Sequence, residues 1–328
     1  MPSPTAPART WLRSSIVGVV VAITVAVAAL LVLRNLARVD FATAAATVST
    51  ISASQALMIV SMAAGSYLCL TAFDWLALRY VDWPLPYRRV ALASFTALSL
   101  GHNIGFAALS SGAVRYRFYS RWGVSAVDVA KLIVFCGVTV GLGLITLGGI
   151  SLLTMPQLSS RVTGLSVGMA QLFGTVCLMV PSAYIAAAAT YTKALRFARW
   201  ELDLPTVQLA AAQIFIGTLN FALVAACLHQ ALGAVSQVSY PAVVTVYVLA
   251  NALAIASHVP GGLGVIEAAV LLLLPGESSL AGVIIFRLAY YILPLPLGLA
   301  SLALSEFAYN RVSPTQKGQL GSSESEAG

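Results

Sequence analysis

Charged side chains are scarce in this sequence. They make up 9% of its 328 residues, whereas 59% of the residues are hydrophobic; a soluble domain carries about 25% charged residues. This composition excludes an ordinary water-soluble domain. Several apolar runs reach the ~18 residues that can cross a bilayer, so the sequence predicts an all-α polytopic membrane protein. The runs do not alternate apolar and polar residues, which excludes an outer-membrane barrel.

Patterns that indicate catalysis or metal binding are also missing. The four cysteines lie inside apolar runs, and their spacing matches neither a zinc site nor a disulfide framework. We find no nucleophile–base spacing, no acidic metal-binding motif and no phosphate-binding loop of the GxxxxGK[ST] type. The net charge is +7, but the basic residues cluster in short segments between apolar runs, as membrane topology requires. We therefore expect no enzyme, no cofactor, no metal and no nucleic-acid partner.

The apolar runs define one transmembrane domain, residues 14–308. Composition predicts a disordered cytoplasmic N-terminus at 1–13 and a disordered C-terminal tail at 309–328. The first run is longer than the apolar core of a cleaved signal peptide, so we expect a retained first span. The long apolar runs are 15–33, 55–78, 90–110, 132–153, 164–190, 206–229, 241–257, 265–274 and 280–304.

The basic residues argue against nine simple crossings. Segments 79–89 and 112–131 are both rich in arginine, which predicts that both are cytoplasmic. Only run 90–110 separates them, and a single crossing would place them on opposite faces. A hairpin that turns at Gly101–Gly105, with arms of about ten residues reaching half-way through the bilayer, resolves the conflict. Nine crossings remain the alternative.

The second half of the chain repeats the order of span, hairpin and span with inverted topology. Segment 191–205 is basic, whereas 230–240 has no charged residue. Run 241–257 then breaks at SHVPGG, and run 265–274 is too short to span. We therefore predict inverted repeats at 55–153 and 206–304, giving about six full spans plus two re-entrant or broken helical hairpins, with both termini cytoplasmic. Inverted repeats with broken helices are typical of transporters, whose sites lie near the midplane.

Three segments resemble the membrane domain of the lysylphosphatidylglycerol synthase/flippase family. They are LGHNIGFAALSSGAVRYRFYSRWGVSAVDVAKLIVF (100–135), SHVPGGLGVIEA (257–268) and FRLAYYILPLPLG (286–298). The resemblance implies a domain that moves aminoacylated phosphatidylglycerol between leaflets. Full-length members also carry a soluble synthase domain, and only a short tail follows Leu304 here. The resemblance therefore implies lipid transport without synthesis.

The break in the second hairpin predicts a binding site for a phosphate. Pro260 stops the preceding helix, and Gly261, Gly262 and Gly264 permit close approach because they lack a Cβ. A half-helix that begins after Gly261-Gly262 presents free N–H groups and a positive dipole end, which favour phosphate. The alternative is a kinked helix that simply packs on its neighbours.

Glu267 lies early in that half-helix, and Arg287 in the last span is its expected partner. An intramembrane carboxylate costs about 2.5–3.5 kcal/mol or more, so it has a partner or a task. The pair either binds the substrate or only locks the hairpin. His102 and His258 either line the site and carry a proton or are neutral and bonded to the backbone. Asn103, beside Gly105 in the first turn, either binds a headgroup or caps the turn.

Arg115 and Arg117 follow the first hairpin, among tyrosines and a tryptophan. Arginine binds phosphate through two parallel hydrogen bonds, so these two side chains are candidates for contact with lipid on the inner leaflet. The alternative is a set of topology-determining charges within an aromatic belt. The pairs Gly137/Gly141 and Gly164/Gly168 predict close helix packing.

These observations predict an integral membrane lipid transporter, a flippase for (aminoacylated) phosphatidylglycerol or a related anionic phospholipid. Membrane phospholipid and a separate lipid synthase are its expected partners, and a bacterial-type inner membrane is its expected location. The alternatives are a proton-coupled transporter of a small solute and a non-catalytic membrane partner of a lipid-modifying enzyme.

Overall fold

A computed structural model describes residues 51–104, 107–190, 195–197, 200–202, 204–234, 237–256, 264–274 and 279–311. These residues form eleven α-helices, one π-helix and one two-stranded antiparallel ribbon. In chain order they are α1 Ala53–Tyr80, α2 Tyr87–Ile104, α3 Ala107–Arg121, α4 Ala126–Thr154, α5 Pro156–Thr163, α6 Val167–Thr190, β1 Leu195–Phe197, β2 Trp200–Leu202, α7 Val207–Gly233, α8 Tyr240–Ala256, α9 Val265–Leu273, α10 Ser279–Arg287, the π-helix Leu288–Ile292 and α11 Pro294–Arg311.

Five stretches of the described chain are long and apolar enough to cross a membrane. Four are single helices, α1, α4, α6 and α7, and the fifth runs from Leu280 to Tyr309 through α10, the π-helix and α11. They coincide with five of the six predicted spans, which confirms a polytopic all-α membrane protein. The sixth predicted span, 15–33, lies outside the described residues, as does the N-terminus predicted to be disordered at 1–13. In the tail predicted to be disordered at 309–328, residues 309–311 form the end of α11, so the prediction was wrong there, and 312–328 lie outside the described residues.

Helices α2 and α3 form the first predicted hairpin. They pack against each other, and the chain leaves α2 at Ile104, where the turn was predicted. The segments that flank the hairpin meet at one end of the bundle, since the Trp83 indole N–H donates to the carbonyl of Trp122 at 3.3 Å. Nearby, the guanidinium of Arg89 lies 5.8 Å from the Trp122 ring centroid. The nine-crossing alternative is therefore wrong.

The arms of this hairpin are longer than predicted. Helix α2 has 18 residues and α3 has 15, against about ten expected for each arm. The prediction was wrong because the arginines of 112–122 were assigned to a loop, whereas α3 extends to Arg121 with Arg115 buried inside the bundle. A carboxylate from α1, described below, makes that burial possible.

The second hairpin opens at the other end of the bundle. Helices α8 and α9 pack against each other. Leu232, at the end of α7, contacts Gly282, near the start of α10. The start of α7 instead lies beside the start of α4, where Gln213 donates to the carbonyl of Phe135 at 3.2 Å. The two hairpins therefore point in opposite directions, as inverted repeats require.

Corresponding helices in the two halves of the chain also make corresponding contacts. Helix α1 packs along α7, its counterpart in the second repeat, and α2 packs on α1 as α8 packs on α7. Helix α2 contacts α11, and in the same way α8 contacts α4. At the centre, the hydroxyl of Ser66 on α1 donates to Asn220 on α7 at 2.7 Å. This matching set of contacts is the one expected of repeats at 55–153 and 206–304.

The close approach of helices uses glycines other than the predicted ones. Within the part of the chain that the structure describes, no neighbouring atom lies within 4 Å of a Cβ built on Gly137, Gly141, Gly164 or Gly168, so the close packing predicted for these glycines is absent there. A Cβ on Gly143 of α4 would lie 2.3 Å from the carbonyl carbon of Gly217 on α7. These two glycines let the backbones of α4 and α7 touch, where van der Waals contact between helices stabilises a membrane bundle.

The outer surface of the bundle is apolar. Large apolar side chains such as Leu172 and Phe173 on α6, Phe215 on α7 and Leu272 on α9 are exposed. In water such a surface would aggregate, whereas in a bilayer it faces acyl chains. The short β1–β2 ribbon pairs Leu195 with Leu202 within the basic segment predicted to be cytoplasmic.

Candidate functional site

The last span changes its hydrogen-bond register in the middle. At Leu288–Ile292 it becomes a π-helix, in which the N–H of Leu293 donates to the carbonyl of Leu288 at 2.8 Å. Pro294 and Pro296 follow directly and have no N–H to donate. In an α-helix the N–H of residue 294 would donate to the carbonyl of Tyr290, but residue 294 is a proline. In a π-helix the N–H of residue 296 would donate to the carbonyl of Tyr291, and residue 296 is also a proline. Single-turn π-helices are frequent at functional sites.

Side chains from the first half of the chain bind the carbonyls of this π-helix. The Tyr67 hydroxyl, on α1, donates to the carbonyl of Tyr290 at 3.3 Å. The Asn103 amide, in the last turn of α2, donates to the carbonyl of Tyr291 at 3.1 Å. Unpaired carbonyls are costly in an apolar interior, so these two bonds fix α1 and the inner end of the first hairpin against the π-helix.

His102 lies in the same place, between aromatic rings. Its ring stacks on that of Tyr290, with centroids 5.8 Å apart and planes 21° from parallel. The Tyr67 and Tyr291 rings lie 6.0 and 6.2 Å away. Its Nδ1 atom is shielded from solvent and has no hydrogen-bond partner within the part of the chain that the structure describes. An unpartnered buried nitrogen is unfavourable and indicates a place where a ligand, water or proton binds.

Glu267 and Arg287 form the ion pair that the sequence predicted. Nε of Arg287 donates to Oε1 of Glu267 at 2.8 Å, and a terminal nitrogen donates to Oε2 at 3.1 Å. The Arg287 guanidinium also lies 4.6 Å from the ring centroid of Tyr291, within the range of a cation–π contact. The side chains are 13% and 22% exposed for Arg287 and Glu267, so this pair is accessible from outside the packed core.

The second half-helix begins later than predicted, and its first amide is occupied. Helix α9 starts at Val265, with Gly264 as its N-cap at φ +82°, a conformation that favours glycine. The N–H of Gly264 donates to Oε2 of Glu267 at 2.8 Å. The expectation of free amides directly after Gly261-Gly262 was wrong for Gly264, because the helix supplies its own anion. Any anionic ligand at this helix end must therefore displace Glu267 or bind beside it.

Arg115 is held in a second, sealed ion pair. Its Nε donates to both carboxylate oxygens of Asp74 on α1, at 3.2 and 2.9 Å, and a terminal nitrogen donates to Oδ1 at 2.8 Å. The Tyr119 hydroxyl donates to Oδ2 of the same carboxylate at 2.8 Å. The side chains are 0% and 5% exposed for Asp74 and Arg115. Asp74 carried no predicted role, although an acidic residue inside an apolar run is a signal for a buried partner.

Arg117 lies at the surface end of α3 and contacts the last helix. It donates through Nε and a terminal nitrogen to the two carboxylate oxygens of Glu306, at 2.7 and 2.6 Å. Arg121, one turn further on, also donates to Glu306. Glu306 was not among the predicted residues, because its partners are far from it in the chain.

The structure brings four of the predicted site residues together around the π-helix. They are His102, Asn103, Glu267 and Arg287, and Gly264 joins them through its bond to Glu267. Arg115 and Arg117 lie in separate ion pairs. Gly105, His258, Gly261 and Gly262 are outside the described residues. Tyr67, Tyr290 and Tyr291 were missed, although two tyrosines followed by the prolines of YYILPLP indicate an interrupted helix.

The chain is similar in sequence to a known protein family and to two individual proteins. The "Lysylphosphatidylglycerol synthase TM region" family matches residues 16–298. "Uncharacterized protein slr0712" of Synechocystis sp. is 32% identical over 256 residues, covering 77% of each chain. "Inner membrane protein YbhN" of Escherichia coli is 29% identical over 267 residues, covering 76% of this chain and 80% of the relative. The residue range of the family match includes both helical hairpins and the π-helix, so this chain belongs to the family of the lysylphosphatidylglycerol synthase transmembrane region.

Proposed function

We propose that this membrane protein is a lipid transporter, a flippase that moves (aminoacylated) phosphatidylglycerol or a related anionic phospholipid between leaflets. One observation carries the proposal: the inner end of the first hairpin binds the π-helix, and the start of α9 binds Arg287, the residue directly before that π-helix, in a partly exposed ion pair. Polar groups so placed within a membrane bundle are expensive and are expected where a polar headgroup passes.

The two charges of the pair are complementary to the phosphate anion and to an ammonium group of an aminoacylated headgroup. Arginine binds phosphate through parallel N–H donors, so Arg287 can exchange the carboxylate of Glu267 for a lipid phosphate. Glu267, released from Arg287, then accepts from the ammonium group of the headgroup. His102, whose Nδ1 is unpartnered among the described residues, supplies a further polar contact at the π-helix.

Reconstitution in liposomes tests this proposal. Labelled lysyl-phosphatidylglycerol and plain phosphatidylglycerol are followed as they change leaflet, with the wild type, Glu267→Gln and Arg287→Gln. We expect the wild type to speed movement of at least one lipid over empty vesicles, and both variants to lose most of that gain. Arg161→Gln, at an exposed arginine of α5, is the matched control and should transport as the wild type does. Equal rates in empty and protein-containing vesicles would refute the flippase function.

A second candidate function is a proton-coupled transporter of a small solute. The Nδ1 atom of His102, which has no partner among the described residues, favours it, because such an imidazole nitrogen can accept a proton. In the liposome experiment this candidate predicts no lipid movement, together with acidification of the vesicle lumen when solute is supplied. A non-catalytic partner of a separate lipid synthase predicts neither activity in the isolated protein.

We also propose a location and an orientation. The basic segments 79–89 and 112–122 share one end of the bundle with the end of α11, and the positive-inside rule assigns that end to the cytoplasm. The protein is then a multi-pass protein of a bacterial-type inner membrane, with the C-terminus and, through the first predicted span, the N-terminus inside. Reporter fusions near residue 85 and after Arg311 should both report the cytoplasm, whereas a fusion at 276–279 should report the outside.

A further inference from the structure

Arg117, Arg121 and Glu306 form a compact cluster at one end of the bundle, here called the dock cluster. Arg117 and Arg121 lie one helical turn apart on α3 and both donate to the single carboxylate of Glu306 on α11. Two guanidinium groups against one carboxylate leave a net charge of +1. The cluster is separate from the Glu267–Arg287 pair, with which it shares no hydrogen bond among those described.

The dock cluster is neither sealed nor fully solvated. The side chains are 22% exposed for Arg117, 11% for Arg121 and 21% for Glu306. The Arg121 guanidinium lies 4.3 Å from the ring centroid of Tyr309, and the ring of Tyr116 beside Arg117 is exposed. Exposed tyrosines and arginines at the end of a membrane bundle lie at headgroup depth.

Glu306 holds the two arginines in the way that a phosphate would. Its two oxygens accept parallel hydrogen bonds from Nε and a terminal nitrogen of Arg117, at 2.7 and 2.6 Å. A phosphodiester has the same charge and offers two oxygens in the same arrangement, which is why arginine binds both groups. The net positive charge of the cluster favours the exchange of Glu306 for such an anion.

We propose that Arg117 and Arg121 form a docking site for the phosphate of an anionic phospholipid, and that Glu306 occupies this site when no lipid is bound. The carboxylate is then an internal competitor, which keeps the arginines positioned and must be displaced by the incoming lipid. The role of this site, to collect lipid before transport, rests on the proposed function. Binding of lipid at the site does not require transport.

Lipid binding to the purified full-length protein tests the site. The protein in neutral detergent micelles is titrated with phosphatidylglycerol, with phosphatidylcholine and with inorganic phosphate. Arg117→Gln/Arg121→Gln should weaken phosphatidylglycerol binding about 10–100-fold, because charge-assisted hydrogen bonds are lost. Glu306→Gln should strengthen it several-fold, because the competitor has lost its charge. Arg161→Gln should bind as the wild type does.

The direction of the Glu306→Gln effect separates a docking site from a structural latch. A latch predicts that Glu306→Gln, which breaks the contact between α3 and α11, weakens lipid binding or leaves it unchanged; either result overturns the proposal. Equal affinity for inorganic phosphate and phosphatidylglycerol overturns the assignment to lipid. Should the double variant not fold, Glu306→Gln and Arg121→Gln still give opposite predicted shifts.

Failure of the docking site is distinguishable from failure of the proposed function. Wild-type protein that moves no lipid in vesicles, but binds phosphatidylglycerol with the predicted response to the variants, contradicts the flippase function and retains the site. Protein that moves lipid normally while phosphatidylglycerol binding ignores both arginines contradicts the site and retains the function.

Discussion

Two arginine–carboxylate pairs lie inside the helix bundle, and they differ in almost every physical respect. Asp74–Arg115 is sealed, with exposures of 0% and 5%, and its carboxylate also accepts from Tyr119. In the second pair Glu267 is 22% exposed and Arg287 is 13% exposed, and the pair lies between the start of α9 and the π-helix. The first pair joins the interiors of two helices, whereas the second lies at a helix start and a π-helix.

The difference indicates that the two pairs have different tasks. A buried pair with all its hydrogen bonds made is favourable only as a unit, because either charge alone is strongly penalised. Asp74–Arg115 therefore fixes α3 in the bundle. Glu267–Arg287 retains contact with the outside and can exchange partners, so we assign substrate contact to it.

The largest expected effect is on stability, from breaking the sealed pair. Arg115→Met leaves the Asp74 carboxylate without a counter-ion and should lower the free energy of unfolding by about 3–5 kcal/mol. The double variant Asp74→Asn/Arg115→Met removes both charges and should recover most of the loss. Unfolding in mixed SDS micelles measures both. A single variant as stable as the wild type would show that the pair does not hold α3.

Breaking the open pair should cost less stability and more activity. Glu267→Gln should lower the free energy of unfolding by about 1.5–3 kcal/mol, the value of hydrogen bonds to charged groups, while lipid movement falls to the background. The same unfolding and liposome assays measure the two quantities. If Glu267→Gln destabilises the protein as much as Arg115→Met does and retains transport, Glu267–Arg287 is a structural pair and the assignment of substrate contact to it is wrong.

Exchanging the charges of the open pair separates structure from function. Glu267→Arg/Arg287→Glu keeps one charge of each sign, so it should be more stable than either single exchange by about 1 kcal/mol. Transport should stay lost, because a cation now lies at the start of α9, where the helix dipole and the N–H of Gly264 favour an anion. Restored transport would indicate that the pair serves only to hold the hairpin.

The smallest effect is expected from the loss of a single tyrosine hydroxyl, either at the π-helix or beside the sealed pair. Tyr67→Phe removes one neutral bond to the carbonyl of Tyr290 and should lower the free energy of unfolding by about 0.5–1.5 kcal/mol. Its counterpart Tyr119→Phe removes a bond to the charged Asp74 and should cost about twice as much. Equal effects in the unfolding assay would contradict the contrast between a sealed charged cluster and an open site.

Much of the fold could be predicted because membrane insertion leaves a strong signal in the sequence. Apolar run length identified the spans, and the arginines around run 90–110 identified a hairpin where hydropathy alone indicates a crossing. The lengths of the arms could not be predicted, because the burial of Arg115 depends on Asp74, which is 41 positions away in the chain. The positive-inside rule assumes that each arginine lies at the membrane surface, so it does not predict a buried arginine that is paired with a distant carboxylate.

The candidate site could be predicted only where a single residue implies a partner. A lone carboxylate in an apolar segment requires a cation, so Glu267 led to Arg287. The π-helix and its contacts with Tyr67 and Asn103 depend on which helices pack together, and no local pattern determines that. The glycine prediction was wrong for the same reason: Gly143 and Gly217 touch because α4 and α7 cross there, not because of a spacing within one helix.

Photo-crosslinking tests the central comparison most directly. Vesicle-reconstituted protein is illuminated with a phosphatidylglycerol analogue that carries a photoreactive headgroup, and the labelled peptides are identified with and without excess unlabelled lipid. We predict competed labelling in residues 264–274 and 287–293, around Glu267 and Arg287, and none at Asp74. Labelling confined to the outer helix α6, and unchanged by the competitor, would contradict the claim that the open pair receives the lipid headgroup.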